Sequence, residues 1–402
     1  MTHEKQMLAW LQRHREHDVI KLITGVRGCG KSTLLNAYNH FLLSSGVPES
    51  QILLIDFEHP ENHHLTTPEE LMDFIDSKVP SGLKVHLLLD EIHELRDFDV
   101  ALGGLFALKN FDIVATCSNK RPISDRFREY LSGKFVHVEM TATPFREIPA
   151  RKNGSFERRL EECLLFGALP YTFRLRDSLP DTEVYLGGLW NTILVKDILS
   201  RSRMADSRLV ERLLERIYAH LGEVESLRKL GADATIDGRE AAPNTVESYL
   251  QALDESMLVH RVMKYDIFLG ELTKSGYCFY LADLALGRTR YGAFPGVEAN
   301  AVRNLIYLEL CARGGAVHCG RYDGADFDFV TLNKNRPHCW QYAPELVNDR
   351  IPTPVLSPLK RIPRDIPKTI ITRRKLPHRH PAGMDVITLE QFLMSAPNKP
   401  IL

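Results

Sequence analysis

Gly25-Val26-Arg27-Gly28-Cys29-Gly30-Lys31-Ser32 fits G-x-x-x-x-G-K-[ST] at every fixed position. The apolar run Val19–Thr24 precedes it, and Ser32-Thr33-Leu34-Leu35-Asn36-Ala37-Tyr38 reads as a helix after it. Strand, glycine-rich loop and helix together make the context in which this pattern grips phosphate. Gly25, Gly28 and Gly30 let backbone N–H groups crowd an anion, and the helix N-terminus adds its partial positive charge. The expected nucleotide-binding set is therefore Gly25, Val26, Arg27, Gly28, Cys29, Gly30, Lys31, Ser32 and Thr33. Lys31 is expected on the β- and γ-phosphates and the Ser32 hydroxyl on Mg²⁺, so ATP with Mg²⁺ is the implied ligand.

A second motif lies where the first requires one. Val85-His86-Leu87-Leu88-Leu89-Asp90-Glu91 is an apolar, proline-free run that ends in two carboxylates. Such a run suits a strand buried on both faces of a parallel sheet. Asp90 at its tip is expected to join Ser32 in the metal shell, as a Walker-B Asp does. Glu91 is then placed to take a proton from the attacking water. Capping of the next helix is a second role that the same pair could fill.

Patterns of strand and helix alternate through residue 140. Strand-like runs fall at Val19–Thr24, Gln51–Asp56, Lys84–Asp90, Phe111–Thr116 and Lys134–Met140. Between two of them Thr67-Pro68-Glu69-Glu70 carries a cap, a first-turn proline and acids suited to the helix dipole. Alternation of this kind predicts an α/β fold, a parallel sheet with helices on both faces. A complete strand separates the phosphate loop from Asp90-Glu91. That is the arrangement of the additional-strand P-loop NTPases, AAA+ proteins among them. Asn119 or Thr116, at the end of the fourth strand, is the candidate to orient the lytic water, although turn chemistry also explains Ser118-Asn119. Arg126, Arg128 and Lys134 stand where a neighbouring subunit's arginine finger commonly arises. A solvated helix face accounts for them equally well.

With 402 residues, 44% hydrophobic, and a net charge of −1, the chain reads as a soluble protein of two to three domains. Near-neutrality gives no electrostatic argument for any partner of the whole molecule. No run approaches the roughly 18 apolar residues of a membrane span, and the first residues lack the apolar core of a secretory signal. Seven cysteines without C-x-x-C spacing suit reduced thiols in a cytoplasm. His318-Cys319 and His338-Cys339 match no zinc-finger spacing.

The string of motifs resembles the bacterial and archaeal AAA-type ATPases that carry a C-terminal domain of unknown function. The resemblance rests on Ile23–Leu35, Leu88-Leu89-Asp90-Glu91-Ile92-His93, Tyr130-Leu131-Ser132-Gly133-Lys134 and Thr143-Pro144-Phe145-Arg146-Glu147. Gly167-Ala168-Leu169-Pro170, Thr192–Ile198, Asn244–Leu250 and Tyr280-Leu281-Ala282-Asp283 extend it over nearly the whole chain. It implies an AAA+-like ATPase core at 1–150, a helical lid and winged helix at 151–290, and a nuclease-like α/β domain of the PD-(D/E)xK type at 291–402. Gly133-Lys134 stands where the family usually has Gly-Arg, and Lys lacks the bidentate fork of Arg.

Helical patterns fit 181–203 and 207–222, and Asn244 with Glu247 resembles a capping box. Apolar runs at Leu258–Tyr265 and Tyr277–Leu281 would form the wing. The helix from Asn244 to Met257 carries Glu247, Asp254 and Glu255 and no Lys or Arg, so it is expected to pack against protein rather than bind DNA. In the last segment, beginning near Phe294, Arg303-Asn304 replaces the family's Glu-Asn. Asp328 persists, Glu309 follows on the same helix as Arg303, and Trp340-Gln341-Tyr342 supplies neither Glu nor Lys. Metal-assisted phosphodiester cleavage needs several carboxylates, so a nuclease scaffold without its chemistry is expected. Between Arg350 and His380, nine Lys or Arg face a single acid, Asp365, the best nucleic-acid candidate in the chain. The expected function is a Mg-dependent ATPase, with a nucleotide-gated binding switch as the alternative and an ATP-dependent nuclease as the weakest reading. A homo-oligomer, a protein partner or nucleic acid remain the open partner classes.

Overall fold

A computed structural model describes residues 2–79, 82–120, 124–149, 154–200, 206–235, 240–292, 297–377 and 381–395. Strands β1 (Ile20–Thr24), β2 (Ile52–Asp56), β3 (Val85–Asp90), β4 (Phe111–Cys117) and β5 (Phe135–Glu139) form one sheet in the order β2-β3-β4-β1-β5. Every pairing in it is parallel. β1 and β3 are buried at each position, as their unbroken apolar runs require of strands covered on both faces. β4 lies between the phosphate-loop strand and the Asp90 strand, which is the additional-strand order. The helix Pro68–Lys78 opens with the expected capping box, Thr67 and Glu70 bonding each other's backbone N–H. Lys21, Asp112 and His86 meet inside the sheet, Asp112 receiving the Lys21 ammonium and lying 2.8 Å from His86 Nδ1. A one-residue slip of β1, β4 or β3 would leave a charge unpaired in the core, so the trio fixes register.

Helices Phe156–Phe166, Leu179–Thr192, Ser207–Ala219, Leu227–Asp233 and Pro243–Glu255 follow. The helix expected over 181–203 instead starts at Leu179 and widens into a π-helical stretch, Ile193–Leu199; its last expected residues, 201–203, lie outside the described residues. Asn244 does not cap its helix. Pro243 takes the first turn and Ala242 the cap position, because proline's fixed φ suits that site.

The second sheet contains β6 (Val259–Asp266), β7 (Glu271–Leu281), β8 (Ala316–Tyr322), β9 (Ala325–Asn333), β10 (Arg336–Ala343), β11 (Lys368–Thr372) and β12 (Asp385–Thr388). Their order is β12-β11-β10-β9-β8-β6-β7. The β6–β7 hairpin stands where a wing was expected, but β6 also pairs with β8 through Lys264, Tyr265 and Asp266. One sheet therefore crosses the boundary expected at 290, and Phe294 itself lies outside the described residues. Helix Val297–Ala312, the β8-β9-β10 meander, helix Thr353–Arg361 and β11 run in that chain order. Cys278 on β7 and Cys319 on β8, 41 residues apart in sequence, lie with their sulfurs against each other across β6.

One apolar core runs from Met7 and Trp10 through Trp190, Leu213 and Tyr280 to Phe392. A second, holding Leu71, Ile75, Leu102 and Leu105, fills the other side of the first sheet. Among the described residues no helix is long and apolar enough to cross a membrane.

Candidate nucleotide site

A Cβ added to Gly25 would lie 2.3 Å from the Met140 carbonyl oxygen, so only glycine passes under the end of β5. Gly30 adopts φ 106° and caps the helix Lys31–Ser44, a conformation glycine reaches without steric cost. The amides of Lys31, Ser32 and Thr33 fall in the helix's first turn, where no intrahelical acceptor exists.

Lys31, 3% exposed, donates from Nζ to the Gly25 carbonyl at 2.9 Å and to Ser118 Oγ at 2.8 Å, and lies 3.3 Å from Glu91. Glu91 accepts from the Ser118 backbone N–H at 2.8 Å and from its hydroxyl at 2.5 Å. His93 Nδ1 stands 3.1 Å from the same carboxylate. Burial works against charge on Glu91, yet Lys31, His93 and the Ser118 hydroxyl outweigh it and hold the carboxyl at about 2. Burial likewise disfavours the Lys31 ammonium, and Glu91 with Asp90 overcomes it, raising the pKa. Glu91 sits at φ 55°, in the left-handed region, at a cost of about 1–2 kcal/mol. Its backbone N–H donates to Thr116 Oγ1 at 3.0 Å, which secures that conformation.

Asp90 accepts from the Thr116 hydroxyl. Burial pushes its pKa above the usual range, opposed by the Ser32 and Thr116 hydroxyls. Ser32 and Asp90 thus offer one hydroxyl and one carboxylate side by side, a donor set that fits Mg²⁺ with water and phosphate oxygens completing the shell. The cleft that holds these groups has a volume of about 420 Å³, and Tyr171, Arg174 and Tyr185, from beyond the first sheet, close it.

Two sets of contacts at the cleft were invisible in the motifs. Arg27 forms a fork on Asp197, Nε at 3.0 Å and Nη2 at 3.1 Å, while Nη1 reaches Glu58 at 2.6 Å. Asp197 belongs to the π-helical stretch, so the phosphate loop is tied to the helical segment that follows the first sheet. At the end of β4, Ser118 meets Lys31 and Glu91, Thr116 meets Asp90, and Asn119 is buried next to them. The next residue, Lys120, bonds Asp254 at 2.7 Å through Nζ and the Glu255 carbonyl at 2.9 Å through its backbone N–H. The helix Pro243–Glu255 thus packs on the first half, and Glu247 is held by both arms of Arg261 at 2.7 and 2.8 Å. Lys134 lies with its ammonium 5.9 Å from the Tyr130 ring centre, and the side chain of Arg126 lies outside the described residues.

In the last segment Asp328 is fully occupied by protein. Arg303 reaches one oxygen at 3.2 Å; Gln341 at 3.0 Å and the Tyr342 N–H at 2.7 Å take the other. Glu309 pairs with Arg313 instead of joining it. The basic run from Arg350 is not a uniform exposed stripe. Lys368 is buried on β11 and donates to the carbonyls of Pro363 and Ile366, while 378–380 lie outside the described residues.

Residues 17–149 match the model of the AAA domain family. This unit has a P-loop NTPase fold. Residues 157–295 match the model of a domain of unknown function (DUF8612). An uncharacterized protein of Haemophilus influenzae is 26% identical over 400 residues, covering 98% of this chain and 99% of that one. Among solved structures, the Aeropyrum pernix ORC1 protein in complex with DNA is 13% identical, covers 72% of this chain and 92% of its own, and has a TM-score of 0.32. AMPPCP-bound DnaA from Aquifex aeolicus is 14% identical, covers 62% and 86%, and has a TM-score of 0.29.

Proposed function

We propose that the chain is a Mg-dependent ATPase whose nucleotide state is passed to its C-terminal half. The observation that carries this reading is the convergence of Lys31, Asp90, Glu91 and Ser118 beneath a loop whose own Arg27 is clamped to Asp197. In the proposed step a water oxygen attacks the γ-phosphorus, Glu91 accepts the water proton, and the bond to the β–γ bridging oxygen breaks to leave ADP and phosphate. Ser32 and Asp90 would hold Mg²⁺, which would supply positive charge to offset that of the phosphates. The phosphates draw Lys31 away from Glu91. Losing that cation raises the carboxylate's proton affinity when a base is needed. Asn119 keeps its proposed part in orienting the water, now with Ser118 beside it.

The two ties from the first sheet to the segments after residue 150, Arg27–Asp197 and Lys120–Asp254, support transmission to a protein or nucleic-acid partner, with the basic segment from Arg350 as the nucleic-acid candidate. The proposed organisation keeps an ATPase core at 1–150 and joins the winged-helix-like and nuclease-like segments into one body. Nuclease chemistry is left out, because Arg303 already neutralises Asp328 where a metal would need a free carboxylate.

Calorimetry and turnover on the full chain test the proposal. Glu91→Gln is expected to bind Mg-ATP normally and to turn over about 10²–10⁴-fold more slowly, whereas Lys31→Ala loses Mg-ATP affinity. Unchanged turnover in the first variant, or unchanged affinity in the second, refutes it.

A further inference from the structure

Between the helix Thr353–Arg361, the start of β11 and residues 381–384 lies a cavity of about 760 Å³. That volume falls within the range of about 300–1,000 Å³ found for small-ligand sites. Leu356, Leu359, Ile362 and Met384 give the cavity an aliphatic floor, and no aromatic ring of the described residues lines it. Four cations, Arg350, Lys360, Arg364 and Lys368, stand around that floor against one acid, Asp349. Among the described residues none of the four is in ion-pair contact with a carboxylate. Arg361, which does not line the cavity, meets Asp323 at 3.8 Å. Lys368 is 3% exposed, and the Pro363 and Ile366 carbonyls take two of its ammonium's three hydrogens. Burial lowers its pKa, Cys339 and Asp365 opposing. An anion in the cavity would offset a desolvation cost that the chain itself leaves standing.

We propose that this cavity binds a small aliphatic ligand with an anionic head, its body on Leu356, Leu359, Ile362 and Met384 and its head among Lys360, Arg364 and Lys368. Along the chain the same cations form part of a basic run, whose ordinary partner is nucleic acid. The fold favours a different one. A nucleic-acid strand asks for cations along a groove and for aromatic rings on which its bases stack. Here the cations line a hollow whose surface is aliphatic, and a base would meet no ring. Apolar walls with a few placed polar groups suit a ligand that is apolar along its body and charged at one end. Burial of the body drives entry, while the cations select the sign of the head and fix its orientation.

Calorimetry on the full chain with octanoate, octyl phosphate, octylammonium and a single-stranded oligonucleotide tests the proposal. At least one octyl anion should bind about tenfold more tightly than octylammonium, and the tighter of the two identifies the head. Lys360 and Arg364 are exposed, so the Lys360→Glu, Arg364→Glu double variant should fold. It should weaken that anion about tenfold, the worth of one charged hydrogen bond, and leave Mg-ATP affinity unchanged. Ala382→Trp fills the cavity with its cations intact and should weaken the anion through bulk. Equal affinities for the octyl anions and octylammonium, or undiminished anion affinity in both variants, overturns the proposal. So does an oligonucleotide that binds and is lost in the charge variant while neither octyl anion binds, which would return the segment to nucleic acid.

Discussion

Asp283 is 1% exposed and accepts from the backbone N–H groups of Ala168 at 2.6 Å, Leu169 at 3.1 Å and Ala285 at 2.8 Å. A Cβ on Gly167 would come within 2.4 Å of its Oδ1, so the glycine lets the carboxylate reach those amides. Burial raises its pKa to about 6, only partly offset by the N–H donors. The folded chain therefore holds this proton more tightly than the unfolded chain does. The contribution is present below about pH 4 and is lost as pH rises through 6, to a total of about 3 kcal/mol. Urea midpoints from pH 4 to 7 should show the native chain losing that much relative to Asp283→Asn, and parallel curves would refute the assignment. At this scale Lys31, Asp90 and Glu91 were legible because a motif fixes them by spacing along the chain. Ser118, His93 and Asp197 were not, since their roles arise from contacts between elements. Gly167-Ala168-Leu169-Pro170 and Tyr280-Leu281-Ala282-Asp283 were each readable as motifs, but not as the two sides of one contact.

Among the elements, the π-helical stretch Ile193–Leu199 reaches the phosphate loop from outside the cleft. Such widened turns recur at functional sites, and this one delivers Asp197 to Arg27 with both side chains at most 11% exposed. Removing one partner leaves the other charge buried. Asp197→Ala should therefore cost about 3 kcal/mol of folding stability, Glu58 limiting the damage to Arg27. The Arg27→Ala, Asp197→Ala double variant should lose clearly less than the sum of the single losses. Strict additivity in chemical denaturation would mean that the two side chains do not act as a pair. Sequence periodicity places a helix here but cannot see its widening, because one extra residue per turn barely alters a short apolar pattern. Local capping fared unevenly for a related reason. Thr67-Pro68-Glu69-Glu70 had no rival, whereas Asn244 competed with a proline one residue earlier.

For the molecule as a whole, the parallel character and additional-strand class of the first sheet were readable, from the alternation and from the strand that separates the phosphate loop from Asp90-Glu91, whereas the full strand order came only with the fold. Domain limits were less so, because the β6–β8 pairing is non-local and leaves no trace in the pattern of either strand. The segments before and after residue 150 share one apolar core, and Arg27–Asp197 and Lys120–Asp254 cross between them. A shift at the phosphate loop therefore has two polar routes outward.

The turn Phe145–Glu147 receives His3 from one side and the helix Leu389–Met394 from the other. Arg159 reinforces that meeting, lying over the Phe145 ring and reaching Met394 Sδ at 3.5 Å. Segments almost four hundred residues apart are thus buckled at a single point, and the backbone closes into a loop. A polypeptide nicked once by a protease should hold together. Its two fragments should co-elute on gel filtration until denaturant is added, and their parting in plain buffer would show that the buckle is too weak to matter.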